Sequence, residues 1–215
     1  PVYLSKVIGE FPETSENTLI RPEWITAAQH RDLPPVGERT IGVDVARYGT
    51  DSTIIVSRAG GHARVTGHRQ GQATTATTGL VIATQAEHLA DEIRVDGVGV
   101  GGGVVDMLRE QGYPVEDMQA GAGARDPKKF VNARAEWFWC LRELFEAGDI
   151  DIDPADDELA AQLGQIRFEY TSRGQIKIES KDDMAARGVS SPDRADALAI
   201  AFAVPRNYRA PSRVY

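Results

Sequence analysis
Three aspartates stand where a carboxylate is costly unless something pairs with it or binds it. Asp44 closes the run Thr40-Ile41-Gly42-Val43-Asp44, in which Ile41 and Val43 alternate with small or polar residues. That period of two predicts a strand with Asp44 on the face opposite the larger apolar side chains, among small neighbours that leave room beside it. Asp96 ends a second apolar run, Ile93-Arg94-Val95-Asp96, and a glycine-rich loop follows it directly. Asp196 lies one turn into a helix opened by Ser191-Pro192, with Ala197 and Ile200 continuing its apolar surroundings. An unpaired carboxylate in apolar surroundings costs several kcal/mol. Three that converge repel one another and are tolerated when a divalent cation occupies the spot. Oxygen-only ligands select Mg²⁺ or Mn²⁺ over zinc. Two such ions about 3.5–4 Å apart activate a water and stabilise the leaving oxygen of a phosphodiester. For Asp44 taken alone, a turn-capping carboxylate is an equal alternative. Asp193 shares a helix face with Asp196, but an acid in a first turn is already favoured by the helix dipole. Asp51 sits in the turn after the first strand, where acids are common.

Other chemistries find little support. The glycines of Gly97-Val98-Gly99-Val100-Gly101-Gly102-Gly103 follow a strand, but Asp96 precedes them directly, where a carboxylate would oppose a pyrophosphate. Their better use is to let backbone or substrate come close beside Asp96. No GxxxxGK[ST] run is present, so no nucleotide cofactor is expected. His30, His62, His68 and His88 are scattered, and no serine stands in a GxSxG setting. The single cysteine, Cys140, excludes an internal disulfide and a cysteine zinc site, and fits a small core residue. A net charge of −8 argues against a surface that binds nucleic acid everywhere. The cations nonetheless cluster near the acidic motifs, at Arg125, Lys128, Lys129 and Arg134, then Lys177, Lys181, Arg187 and Arg194, and in a tail with Arg206, Arg209 and Arg213. Phosphate-backbone contact is the expected use of that distribution.

The elements that must position these residues follow from periodicity. A lead-in over 1–38 is punctuated by prolines and contains one short helix from Pro22 to His30. Strands are predicted near 40–46, 52–58 and 62–70, the last two joined by a Gly60-Gly61 turn. A helix over 75–90, the strand ending at Asp96, a helix to about Gln111 and a strand at 114–118 come next. The clearest helix spans 131–147, followed by an acidic one from Ala155 to Gly164. A hairpin folds around Thr171-Ser172-Arg173-Gly174, a short helix spans Lys181 to Arg187, and the last helix runs to about Val204. Three strands followed by alternating helices and strands predict an α/β fold with a mixed sheet. No apolar run reaches membrane-spanning length.

Four segments resemble, in order, motifs of the C-terminal nuclease domain of tailed-bacteriophage terminase large subunits. They are Ile41-Gly42-Val43-Asp44-Val45-Ala46 with Gly49-Thr50-Asp51, Val95-Asp96-Gly97-Val98-Gly99-Val100-Gly101, Glu179-Ser180-Lys181-Asp182-Asp183-Met184 and Ser191-Pro192-Asp193-Arg194-Ala195-Asp196-Ala197-Leu198. Val7-Ile8-Gly9-Glu10-Phe11-Pro12 and Leu19-Ile20-Arg21-Pro22-Glu23-Trp24-Ile25 likewise resemble the family's connector from ATPase to nuclease. The resemblance implies a ribonuclease H-like fold with a central mixed sheet flanked by helices and an additional β-hairpin. It implies a Mg²⁺- or Mn²⁺-dependent endonuclease that cuts concatemeric double-stranded viral DNA during genome packaging, with two ions and no nucleotide. Asp44, Asp96 and Asp196 map onto the family's metal-binding acids, and Asp51 and Asp193 onto accessory positions held more loosely. Residues 1–38 would be a connector from an ATPase domain absent here, 39–205 the nuclease and 206–215 a basic tail. Lys128, Lys129, Arg134, Arg173, Lys181 and Arg194 are the expected DNA contacts, with the 171–174 hairpin beside the DNA groove. The implied partners are DNA, the portal, the small terminase subunit and the ATPase domain, in the host cytoplasm, with no membrane. The alternatives are another ribonuclease H-like nuclease, such as a resolvase or transposase, and a DNA or portal docking module weakly active alone. A kinase-like acid-and-glycine hairpin ranks last, since no second phosphate loop is evident.

Overall fold
The computed structural model describes residues 17–46 and 52–204 of the 215. Asp51 and the tail arginines lie outside the described residues. Strand β1 (Arg39–Asp44) is central in a five-stranded sheet. β2 (Ser52–Ala59) and β3 (His62–Gln70) continue it as an antiparallel meander on one side. On the other side β4 (Glu92–Asp96) and then β5 (Val115–Met118) add in parallel. The order β3-β2-β1-β4-β5 is the mixed sheet expected of a ribonuclease H-like α/β fold. The parallel strands need crossovers, supplied by α2 (Thr74–His88) and α3 (Gly101–Glu110). α1 (Pro22–Gln29), α4 (Ala133–Ala147), α5 (Asp157–Gln165), the hairpin β6 (Phe168–Tyr170) and β7 (Ile176–Ile178), α6 (Lys181–Ala186) and α7 (Asp193–Phe202) complete the chain.

Both faces of the sheet are covered. Ile41, Val43, Ile93 and Val95 pack with Val81 of α2 and Val104, Val105 and Leu108 of α3. Ile54 and Val56 share the second core with α1, α4, α5 and α7, around Ile25, Phe138, Leu163 and Leu198. The sequence predicted free space on the small-residue side of β1. The structure fills it with α7: a Cβ placed on Gly42 would lie 2.4 Å from the Ala197 carbonyl oxygen and 2.5 Å from the Ala201 nitrogen. Gly42 is small so that a helix carrying two of the candidate acids can touch the strand that carries a third.

The described half of the lead-in is built into this body. Leu19, Ile20, Ile25 and Ala28 are fully buried. Leu19 N–H donates to Ile166 O and Phe168 N–H to Asn17 O, so the lead-in lies beside the root of the hairpin. Buried Asp151 fastens its other end, accepting from Leu33 N–H (3.0 Å), His62 Nδ1 (3.1 Å) and Arg64 Nη1 (2.7 Å). Burial works against its charge, but these donors prevail and hold its carboxyl below the ordinary value. Asp151→Ala should cost about 2–3 kcal/mol in chemical denaturation. That is less than for a fully enclosed ion pair, because Arg64 and His62 still reach water. The loss should shrink below pH 4, as the wild-type carboxyl takes up its proton and gives up the same contacts.

Candidate metal centre
The acids meet at one end of the sheet. Because β1, β4 and β5 run parallel, their C-terminal ends share an edge, and Asp44 and Asp96 are the last residues of β1 and β4. α7 crosses this edge with Asp193 and Asp196 in its first turn. Asp44 is 9% exposed, Asp193 8% and Asp196 7%, so the edge holds buried carboxylates rather than a solvated acidic rim. The loop after Asp96 is tight: a Cβ on Gly101 would lie 1.8 Å from the Asp96 carbonyl oxygen, and one on Gly97 would lie 1.9 Å from Asp117 Oδ1. Gly101 thus serves close backbone approach, and Gly97 leaves room for the Asp117 carboxylate. Asp117, at the end of β5, is a carboxylate neighbour of Asp96 that no motif in the sequence signalled.

The charge balance explains how these acids coexist. Burial pushes the Asp44 carboxyl up to about 8, Lys181 pulls it down, and Asp196, Asp193 and Asp96 add their repulsion. Burial also raises Asp96, partly offset by the Val98 N–H it accepts. Lys181 Nζ lies 3.0 Å from Asp196 Oδ2, 3.7 Å from Asp44 Oδ2 and 3.9 Å from Asp193 Oδ1. Burial disfavours its charge, but Asp196 and Asp44 outweigh that and hold the ammonium above its ordinary value. Among the described residues, no three carboxylate, imidazole or thiolate side chains surround a point closely enough to hold an ion. A lysine ammonium stands where the acids converge.

The donor set still fits a hard divalent cation. Every candidate ligand is a carboxylate oxygen. Asp196 Oδ2 is buried and faces the Lys181 ammonium at 3.0 Å. Asp193 differs, since Ser52 N–H donates to its Oδ2 at 2.8 Å and the Ser191 hydroxyl donates to its Oδ1. Those contacts tie the start of α7 to the start of β2. Beside the acids opens a cleft of about 260 Å³, lined by Asp96, Asp196, Lys181, Arg134, Trp137 and Phe138. A larger cleft of about 370 Å³ lies at the opposite end of β1. There Arg58 and Arg94 are occupied by Glu38, Glu92 and the carbonyls of Ala201 and Ala203.

The remaining cations expected at DNA divide into two groups. Lys128, Lys129 and Arg173 are exposed, Lys129 lying 3.5 Å from Glu143. Arg134 and Arg194 are turned inward. Arg134 binds Asp196, and Arg194 pairs with Asp156 and Glu158, each at 3.0 Å.

No family model matches the chain. A curated protein described as the probable large terminase subunit of Enterobacteria phage P7 is 28% identical over 226 residues, covering 97% of this chain. The chain spans 45% of that relative's length. The nuclease domain of the large terminase subunit gp2 of bacterial virus Sf6, a point mutant with manganese and β-thujaplicinol, superposes with a TM-score of 0.78. It is 20% identical, and the match covers 87% of this chain and 99% of that one. The large terminase nuclease of thermophilic phage G20c, with bound magnesium, gives 0.66 at 16% identity, covering 87% and 97%. The chain is related to phage large terminase subunits and has the fold of their nuclease domains. Its β6–β7 hairpin is the additional hairpin expected beside that terminase fold.

Lys181 therefore occupies a charged position in a terminase nuclease fold, and its removal is informative. A cation bound among these acids would have to displace its ammonium, so Lys181→Ala should bind Mn²⁺ about tenfold more tightly. At saturating Mn²⁺ that adds about 1.4 kcal/mol of stability, an extra rise in melting temperature of about 3–6 °C over the parent. Equal rises in the two proteins would show that Lys181 does not compete with the ion.

Proposed function
We propose that the chain is a Mg²⁺- or Mn²⁺-dependent DNA endonuclease that cuts concatemeric double-stranded viral DNA during genome packaging. The observation that carries the proposal is the meeting of Asp44, Asp96 and Asp196 at one sheet edge, around the Lys181 ammonium that offsets their charge. In this reading Asp44, Asp96 and Asp196 hold the metal. Asp193 supports the first turn of α7, and Asp51 is an accessory acid. Two divalent cations, when bound, supply an activated water and a counter-charge for the leaving oxygen. The protein's own part is to fix the acids, close one side of the cleft with Trp137 and Phe138, and set a cation at the phosphate. Lys181, released from the acids, would take that last role. Exposed Lys128, Lys129 and Arg173 would contact the DNA backbone outside the cleft and set its position without reading sequence. The proposed partners are those of a packaging motor, namely DNA, the portal, the small subunit and an ATPase domain, in the host cytoplasm. The test is cleavage of supercoiled plasmid with Mn²⁺ and with EDTA, in the parent and in Asp44→Asn, Asp96→Asn and Asp196→Asn. Cleavage that survives EDTA would refute metal dependence.

The position of Lys181 favours a second reading, in which this domain alone binds DNA but cuts slowly until its lysine is drawn away. DNA retention without cutting at saturating Mn²⁺ distinguishes it. Preferential cutting of branched over linear DNA would point instead to a resolvase.

A further inference from the structure
Arg134 lies on the α4 face that looks into the cleft, one turn before Phe138. Its Nε and Nη2 donate to Asp196 Oδ1 at 3.2 and 3.1 Å, and its Nη1 donates to the Glu179 carbonyl at 2.9 Å. Its guanidinium carbon lies 4.7 Å from the centre of the Phe138 ring, which holds the plane from one side. Three N–H groups are thus used inside the protein, and the side chain is 14% exposed. A residue serving DNA phosphates would keep those donors for solvent and ligand.

We infer that Arg134 is a positioning residue for Asp196, and that its role in DNA cleavage runs through that carboxylate. The inference rests on the reading of Asp196 as a metal ligand. Two N–H groups on Oδ1 pin that oxygen and leave Oδ2 to the Lys181 ammonium, which also reaches Asp44. The guanidinium also carries a fixed positive charge that offsets the gathered acids, which a neutral donor could not do. Its third donor reaches the strand end that leads into Lys181. Glu179 N–H in turn donates to Arg167 O, whose residue bridges Thr18 of the lead-in. One side chain therefore sets the geometry between Asp196 and the segment that carries Lys181. Partners that orient a metal-binding carboxylate change metal affinity about 10–100-fold when removed.

Mn²⁺ binding by titration calorimetry and binding of a labelled DNA duplex in EDTA, measured on one set of variants, separate the roles. Arg134→Gln should weaken Mn²⁺ binding at least tenfold and leave duplex affinity within about twofold of the parent. Arg134→Lys restores the charge without the paired donors, so it should recover less than half of the lost binding energy. It also serves if Arg134→Gln fails to fold, as judged by its melting curve. Mn²⁺ affinity within twofold of the parent in Arg134→Gln, or full recovery in Arg134→Lys, would overturn the inference. Asp196→Asn guards the underlying reading. If it binds Mn²⁺ like the parent, Asp196 is not a ligand and the metal-site assignment fails. If it loses Mn²⁺ while Arg134→Gln keeps it, only the positioning role fails.

Discussion

Asp44→Asn should abolish metal-dependent cleavage and at the same time make the metal-free protein more stable at pH 8. The first effect follows from the site. A ligand lost from a metal-assisted phosphodiester cleavage forfeits several kcal/mol of transition-state stabilisation, so plasmid cutting in Mn²⁺ should fall on the order of 10³-fold or more. The second follows from the carboxyl, which burial raises to about 8 from an ordinary 3.8. The unfolded chain releases this proton near 4 and the folded chain only near 8. Between those values the folded state binds more protons, so metal-free stability falls as pH rises through that window. Above it, the ionised carboxylate costs the fold on the order of a few kcal/mol. Asparagine cannot ionise, so its urea midpoint should decline less from pH 5 to 8 than the parent's does. Retained cleavage would remove Asp44 from the metal site. A parent whose stability does not fall between pH 5 and 8 would show that its Asp44 is already ionised at pH 5. Added Mn²⁺ should restore the parent's stability at pH 8 and do nothing for the variant, because only the parent gains a bound counter-ion.

Gly42→Ala should damage the same site from behind. The added methyl would sit 2.4 Å from the Ala197 carbonyl oxygen and 2.5 Å from the Ala201 nitrogen, both backbone atoms of α7. Backbone cannot rotate aside as a side-chain tip can, so the helix must lift from β1. Overpacking of this kind costs about 3 kcal/mol, which corresponds to a fall in melting temperature of about 6–12 °C for a chain of this size. Function should suffer more than stability alone explains, because α7 carries Asp193 and Asp196 while β1 carries Asp44. The check is cleavage at a temperature where the variant is fully folded. Activity there should remain depressed and should need more Mn²⁺, since the acids no longer sit at their native spacing. A variant with parental melting temperature and parental Mn²⁺ requirement would mean that α7 approaches β1 less closely than the structure has it.

The two predictions also separate what kinds of information fixed this protein. The strands and helices were legible in the sequence because their signals are local. Ile41 and Val43 alternate, Asn132 caps α4 by accepting from Ala135 N–H, and Gly148 ends it in a left-handed conformation. The acids at the ends of β1 and β4 and in the first turn of α7 were legible for the same reason: each stands out against its own apolar run. Parallel pairing of β1 with β4 then brings two of them to one edge without further help.

The partners of those acids were not legible. Arg134 and Asp196 are 62 residues apart, Ser52 and Asp193 141 apart, and Arg194 pairs with Asp156 across 38. A cation's charge is the same whether it faces a phosphate, an acid or water. The sequence therefore placed Arg134, Arg194 and Lys181 together as DNA contacts. Packing separated them, because α4 turns Arg134 inward beside Phe138 and α6 begins where Lys181 reaches the acids. Gly42 shows the same limit, since a small residue in a strand signals space but not what fills it. The sequence by itself determined the elements and marked the three acids as candidates for a divalent-cation site. The tertiary structure alone decided which cation balances which acid, because long-range packing fixes side-chain neighbours and periodicity does not.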